Sequence, residues 1–149
     1  GKEAAEFHKQ GVQIHHIGHP GRLPGHLRSA IEEAIELTRN NSKIILTFAF
    51  NYGSRLEIVD AARSITAQGI PPQDIDEKLF SRHLYTAELP DVDLVVRTGG
   101  DLRISNFLLW QSAYSEYYFT DVLWPDFNAE ELDKALVSYG QRQRRFGRL

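Results

Sequence analysis

The sequence predicts an α/β fold, a mostly parallel sheet flanked by helices, and three observations carry that expectation. Apolar strand-like runs alternate with helix-length amphipathic segments, short polar connectors join them, and no repeat or low-complexity linker interrupts the order. At 149 residues the chain fits one domain, taken as residues 1–149, with enough length to bury a core.

Taken in order, VQIHHI at 12–17 reads as a strand. LPGHLRSAIEEAIELTRN at 23–40 reads as a helix with Leu27, Ile31, Ala34, Ile35 and Leu37 on one broad face. KIILTFAF at 43–50 is a continuous β-branched and aromatic run, the pattern of a strand buried on both faces, and it ends in NYGSR. A helix follows from Leu56 to Gln68 and stops at Gly69-Ile70-Pro71-Pro72. Asp74 has the character of an N-cap for a further helix through Tyr85. DVDLVV at 91–96 is the next buried strand and runs straight into RTGG. SNFLLWQSAY is expected to form a short helix, YYF at 117–119 a short strand, and NAEELDKALVSYGQRQRR a terminal helix capped by Asn128, with Pro125 between the last two.

Composition narrows the function. Hydrophobic residues at 42% and charged residues at 25% are those of a soluble globular protein and exclude disordered and fibrous classes. A net charge of -3 speaks against a nucleic-acid binder, so any anion site must be local. With no cysteine, neither a disulfide frame nor a thiolate metal site can form, and a reducing, cytoplasmic compartment fits. No signal peptide or transmembrane segment is evident, the longest apolar stretch, IILTFAF, falling far short of the ~20 residues that span a bilayer. The chain opens on Gly1 and contains no methionine, as expected of a processed or truncated end.

Parallel α/β sheets gather ligands outside the carboxyl ends of their strands, and two such ends here carry glycine, NYGSR and RTGG. Gly99 and Gly100 permit positive φ and let backbone N–H groups approach an anion. Arg97 and Arg103 add planar, permanently charged forks suited to phosphate oxygens. Ser105, at an expected helix start, would add its hydroxyl at the positive helix end. Together these residues describe a phosphate or diphosphate cradle; a capped turn with solvated arginines is the other reading of the same spacing. Glu116 stands apart. On a helix running from Ser105 it would lie roughly 16 Å away, too far to serve the same phosphate within one chain. Either the helix bends back, or the acid works in a neighbouring subunit's site, or it is an ordinary surface acid.

The run RTGGDLRISNFLLWQSAYSEYYFTDVLWPDF, with NYGSR before it and RRFG near the end, resembles the cis-prenyltransferases, specifically the bacterial undecaprenyl diphosphate synthases, from Val12 to Gly147. The resemblance implies that Arg97, Arg103 and Ser105 hold the diphosphate of isopentenyl diphosphate, with Gly99 and Gly100 in the same loop, and that Glu116 helps bind Mg2+. It implies a homodimer with sites shared across the interface, toward which the tail residues Arg145 and Gly147 reach; a solvated basic helix end is the plainer reading of that tail. It also implies extension of farnesyl diphosphate by isopentenyl diphosphate to a cis-polyprenyl diphosphate such as undecaprenyl diphosphate. Magnesium would stabilise charge on the leaving oxygens. The product would be delivered to a membrane, with the enzyme cytoplasmic or peripheral at that surface. Ile45, Leu46, Phe48 and Phe50 are candidate walls of a tunnel for the growing chain, or plain sheet core.

Departures from the family pattern matter as much. Nothing resembles the Asp-Gly-Asn-Gly-Arg loop that binds magnesium and the allylic diphosphate, and the chain starts well into the pattern, in the helix before its middle strands. The catalytic groups are therefore expected outside this chain, which alone should be inactive. His19 stands where an aspartate is usual, Ser54 replaces a glycine, and Asp101 stands where a glutamate is common. Glu57 and Asp93 fall at acidic family positions and are assigned to structure first. Two other classes stay open: a non-catalytic prenyltransferase partner subunit, and a phosphate-binding Rossmann-like regulatory module. His15, His16 and His19 raise a metal possibility, which alternation along a strand disfavours.

Overall fold

A computed structural model describes residues 2–19, 21 and 23–142, and the chain divides into two compact units, 1–87 and 88–149. The first unit runs α1 (Lys2–Lys9), β1 (Val12–Ile17), α2 (Gly25–Thr38), β2 (Ile44–Ala49), α3 (Ser54–Ala67) and α4 (Glu77–Ser81). The second holds β3 (Leu94–Arg97), β4 (Glu116–Phe119) and α5 (Ala129–Gly140). Both described strand pairs are parallel and helices pack against them, which is the predicted α/β architecture.

In the first unit β1 pairs with β2 in register, Val12 opposite Ile44 through Ile17 opposite Ala49. Parallel strands need a crossover, and α2 supplies it while packing, with α1, on β1. Val12 and Ile14, on one face of β1, and Ile17, on the other by alternation, are all buried. Leu27, Ile31, Ala34 and Ile35 of α2 are half-buried, but Leu37 is exposed. The inward position belongs instead to Thr38, four residues after Ala34, and its hydroxyl makes burial tolerable. It donates to the Ala34 carbonyl at 2.8 Å and accepts from the Ile14 N–H at 2.9 Å, so a helix side chain completes the hydrogen bonding of β1.

β2 departs from the buried strand its sequence predicts. Ile44, Ile45, Phe48 and Phe50 are exposed, while Leu46 and Thr47 are half-buried. The run has the composition of a strand covered on both faces, yet among the described residues only β1 pairs with it. A cavity of about 190 Å³ opens between α1, α2, β1 and β2, with Phe7, Ile14, Ile31 and Phe48 in its lining. Of the four candidate wall residues only Phe48 lines it, and the plain core reading does not hold for Ile45, Phe48 and Phe50.

Two helix-start expectations also change. Asp74 closes a 3-10 turn over Pro72–Asp74, because the paired prolines set a tight turn first, and the cap of α4 falls to Asp76, whose carboxylate accepts from the Leu79 N–H at 2.7 Å. That helix ends at Ser81 rather than Tyr85. SNFLLWQSAY forms turns and no helix: Ser105, Asn106 and Leu108 take φ of 47°, 63° and 47°, and isolated hydrogen bonds such as Phe107 N–H to Ile104 O replace a helical ladder. Serine and asparagine compete with the helix through local hydrogen bonding, and asparagine tolerates the left-handed region. Asn128 caps α5 as expected, accepting from the Glu131 N–H at 3.2 Å.

Candidate functional site

The candidate site lies at the carboxyl end of β3. Arg97 closes that strand opposite Phe119 of β4, and strand pairing continues beyond it: Thr120 N–H donates to Arg97 O at 3.0 Å, Gly100 N–H to Thr120 O at 3.0 Å, and Gly99 N–H to Val122 O at 2.9 Å. The glycine pair takes the positive φ its sequence predicts, +86° and +79°. A side chain at Gly100 would also meet Asp121 Oδ1 at 3.0 Å. Their N–H groups, expected to face an anion, are instead spent on these carbonyls. The glycines act by turning the chain, which returns Arg103 and Ser105 over the end of the strand.

Three sequence-predicted residues converge there. Arg97 Nη1 donates to Ser105 Oγ at 2.9 Å and also to the Arg103 carbonyl, which pins the returning loop to the strand end. Arg97 Nη2 donates to Asp101 Oδ2 at 2.8 Å, and Arg103 Nη2 donates to the same oxygen at 2.6 Å. A cavity of about 210 Å³ opens beside them, lined by Arg97, Arg103 and Ser105 with Val95, Val96 and Phe119 among its apolar walls. Ser105 does not stand at a helix start, so no helix dipole contributes. The positive field comes from two guanidiniums, offset in part by the Asp101 carboxylate that both of them bind. Sequence reading noted Asp101 only as a departure from a pattern; its central place depends on how the loop closes.

Glu116 begins β4 opposite Leu94, at the other end of the strand pair from Arg97. Three residue steps along the strands separate their levels, roughly 10 Å, so the acid and the cradle are distinct places in this unit. Its N–H donates to Asp93 O at 2.9 Å, and its Oε2 is bound by Arg142 Nη1 at 2.8 Å. Among the described residues no group of three or more His, Cys, Asp or Glu could hold a metal ion, and Glu116 is not part of such a cluster. The described residues thus do not build a cation site by themselves. Arg145 and Gly147 lie outside the described residues.

In the first unit the strand ends are tied together. Gly18 leaves β1 at φ +127°, His19 N–H donates to Asn51 O at 3.1 Å, and Asn51 Nδ2 donates to His19 O at 2.7 Å. His19 Nδ1 accepts from the Gly21 N–H at 3.2 Å, and His16 Nε2 lies 3.2 Å from Phe50 O. Ser54 starts α3 in helical backbone, fully buried, where no glycine is required. Glu57, also fully buried, accepts from Tyr52 OH at 2.5 Å and from Tyr85 N–H at 2.9 Å. Both bonds lie within the fold and tie Tyr52 and the Tyr85 backbone to α3. Asp60 accepts from Tyr85 OH at 2.5 Å; that hydrogen bond holds the Asp60 carboxyl below its usual range, and burial chiefly, then Asp60, raises the Tyr85 phenol.

The fold and the site define a parallel α/β protein with two arginines gathered at one strand's carboxyl end, where such sheets place their ligands. Comparison with known proteins is more specific. The family model Prenyltransf, described as "Putative undecaprenyl diphosphate synthase", matches residues 1–147. Curated relatives named isoprenyl transferase are 50% identical in Heliobacterium mobile, over 98% of this chain and 58% of that protein, and 52% identical in Fusobacterium nucleatum, over 97% and 62%. Solved structures agree. A probable undecaprenyl diphosphate synthase from Campylobacter jejuni superposes with a TM-score of 0.89 at 33% identity, covering 99% of this chain and 69% of that one. Lavandulyl diphosphate synthase from Lavandula x intermedia, in complex with dimethylallyl diphosphate, gives 0.91 at 42%, covering 97% and 65%. The chain belongs to the undecaprenyl diphosphate synthase family of prenyltransferases. It spans about three fifths of the length of the curated relatives it matches.

Proposed function

We propose that this chain is the donor-binding portion of a cis-prenyltransferase, the part that grips the diphosphate of isopentenyl diphosphate. The observation that carries this reading is the convergence of Arg97, Arg103 and Ser105 on one loop, with Arg97 within 2.9 Å of the serine and both guanidiniums on one oxygen. Arg97 is anchored through Nη1, so its remaining N–H groups and those of the more exposed Arg103 are the donors left for phosphate oxygens. The apolar walls beside them suit the short hydrocarbon of the donor.

In the proposed reaction the allylic carbon–oxygen bond of farnesyl diphosphate breaks and diphosphate departs with the bonding pair, the double bond of isopentenyl diphosphate attacks that carbon, and loss of a proton restores a double bond. This chain's residues bind and orient the donor; the groups that hold the allylic partner lie outside it. Glu116 would contribute one carboxylate to Mg2+, with Arg145 and Gly147 serving a second subunit's diphosphate in a homodimer. The product, a polyprenyl diphosphate such as undecaprenyl diphosphate, would pass to a membrane from a cytoplasmic enzyme peripheral to it. No described helix is long and apolar enough to cross one.

The test is product formation from isopentenyl diphosphate, farnesyl diphosphate and magnesium. The chain alone should give no polyprenyl product, while the chain preceded by the N-terminal segment of the family pattern should give one. Turnover by the chain alone contradicts its assignment as a donor-binding portion, and none from the joined protein contradicts the activity.

A further inference from the structure

The two guanidiniums that would hold a diphosphate already share an anion, and it belongs to the chain itself. Asp101 Oδ2 accepts from Arg97 Nη2 at 2.8 Å and Arg103 Nη2 at 2.6 Å, the arrangement a bridging phosphate oxygen would adopt. We propose that Asp101 is a displaceable internal counter-anion, which competes with the incoming diphosphate for Arg97 and Arg103 and so sets the affinity of the site. This rests on the reading of that loop as a diphosphate clamp.

Three features favour competition over a positioning role. Arg97 does not depend on Asp101 for its place, because Nη1 is separately held by Ser105 Oγ at 2.9 Å and by the Arg103 carbonyl. The Asp101 side chain is 40% exposed and belongs to an irregular stretch, 101–104, directly after Gly100 at φ +79°, so no helix or strand opposes its movement. Exposed ion pairs are weak, whereas a diphosphate brings more than one negative charge to the same donors and repels a carboxylate left beside them. The aspartate therefore yields, and its departure subtracts from the ligand's binding.

Asparagine at this position keeps the hydrogen-bonding shape and removes the charge. Calorimetric titration of inorganic diphosphate into the 149-residue chain, at fixed ionic strength, should show Asp101→Asn binding about three- to tenfold more tightly than the unmodified chain. Asp101→Glu, which restores the charge, should bind as the unmodified chain does. Asp101→Ser removes the charge with a different shape and should also tighten binding, so a folding failure in one variant, read by thermal melting, leaves the other decisive. If the unmodified chain binds diphosphate and the folded neutral variants bind equally or more weakly, Asp101 is not a competitor and the proposal falls while the clamp stands. If no variant binds diphosphate, the clamp reading falls and takes this proposal with it.

Discussion

Glu116 Oε2 accepts a hydrogen bond from Arg142 Nη1 at 2.8 Å, so the acid proposed to meet magnesium is held in this chain by a fixed positive charge. Arg142 follows the last turn of α5, where a basic group also complements the helix dipole. The pair ties that helix end to the first residue of β4, across a part of the unit where α5 packs on the strand.

Both partners are partly exposed, 40% for Arg142 and 25% for Glu116, which screens their attraction. Arg142→Ala should therefore lower the unfolding free energy by only about 0.2–1 kcal/mol, measured by urea denaturation. A loss beyond ~2 kcal/mol would mean that the pair works as a buried one.

Glu57 should behave in the opposite way. It is fully buried, and removing its carboxylate leaves Tyr52 OH and Tyr85 N–H without that acceptor. Glu57→Ala is expected to cost about 3–5 kcal/mol, and Glu57→Gln less, since the amide oxygen still accepts one bond. Equal and small losses for both in the same urea experiment would contradict this.

The Asp60–Tyr85 hydrogen bond gives a pH signature. The bond to Tyr85 is the largest influence lowering the Asp60 carboxyl, so its stabilisation is present above the unfolded carboxylate pKa, about 3.9, and is lost as pH falls through the lower folded value. The Tyr85 phenol is raised, chiefly by burial, so its share is complete below the unfolded value of about 10 and is lost at higher pH. The stability difference between the unmodified chain and Tyr85→Phe should be flat between those limits and shrink outside them. A difference that grows on acidification would refute the assignment.

Gly18 is a steric requirement. A Cβ there would lie 2.1 Å from Phe50 O, and the φ of +127° is hostile to any side chain. Gly18→Ala should cost more than about 2 kcal/mol in thermal or urea unfolding, by forcing apart the linked ends of β1 and β2. Gly99→Ala meets no atom within 4 Å and should cost less, its penalty being that of the positive φ alone.

Much of this was legible in the sequence, for identifiable reasons. The β1-α2-β2 order shows because strand and helix periodicities differ and the connectors are short, and Asn128 shows because capping is local. What the sequence hid was tertiary. The apolar spacing of 105–114 suggests a helix, but Ser105 and Asn106 take left-handed backbone as the loop folds back on Arg97. Leu37 and Thr38 differ by one helical step, and only the neighbouring Ile14 N–H explains why the polar residue turns inward. Asp74 and Asp76 are equally good caps until Pro71-Pro72 fixes the preceding turn. Asp101 could not be placed between two arginines from spacing, because the contact exists only once the glycine pair has reversed the chain.

The central claim, that the loop from Arg97 to Ser105 grips the donor's diphosphate, is tested most directly by titrating isopentenyl diphosphate into the unmodified chain and into Arg103→Ala. Arg103 is the more exposed of the two arginines, and among the described residues its side chain binds Asp101, which Arg97 still holds when Arg103 is lost, so the variant should melt normally. Loss of one charge-assisted contact of about 1.5–3 kcal/mol predicts binding weaker by roughly ten- to a hundredfold. An unchanged dissociation constant in a folded Arg103→Ala chain would contradict the account.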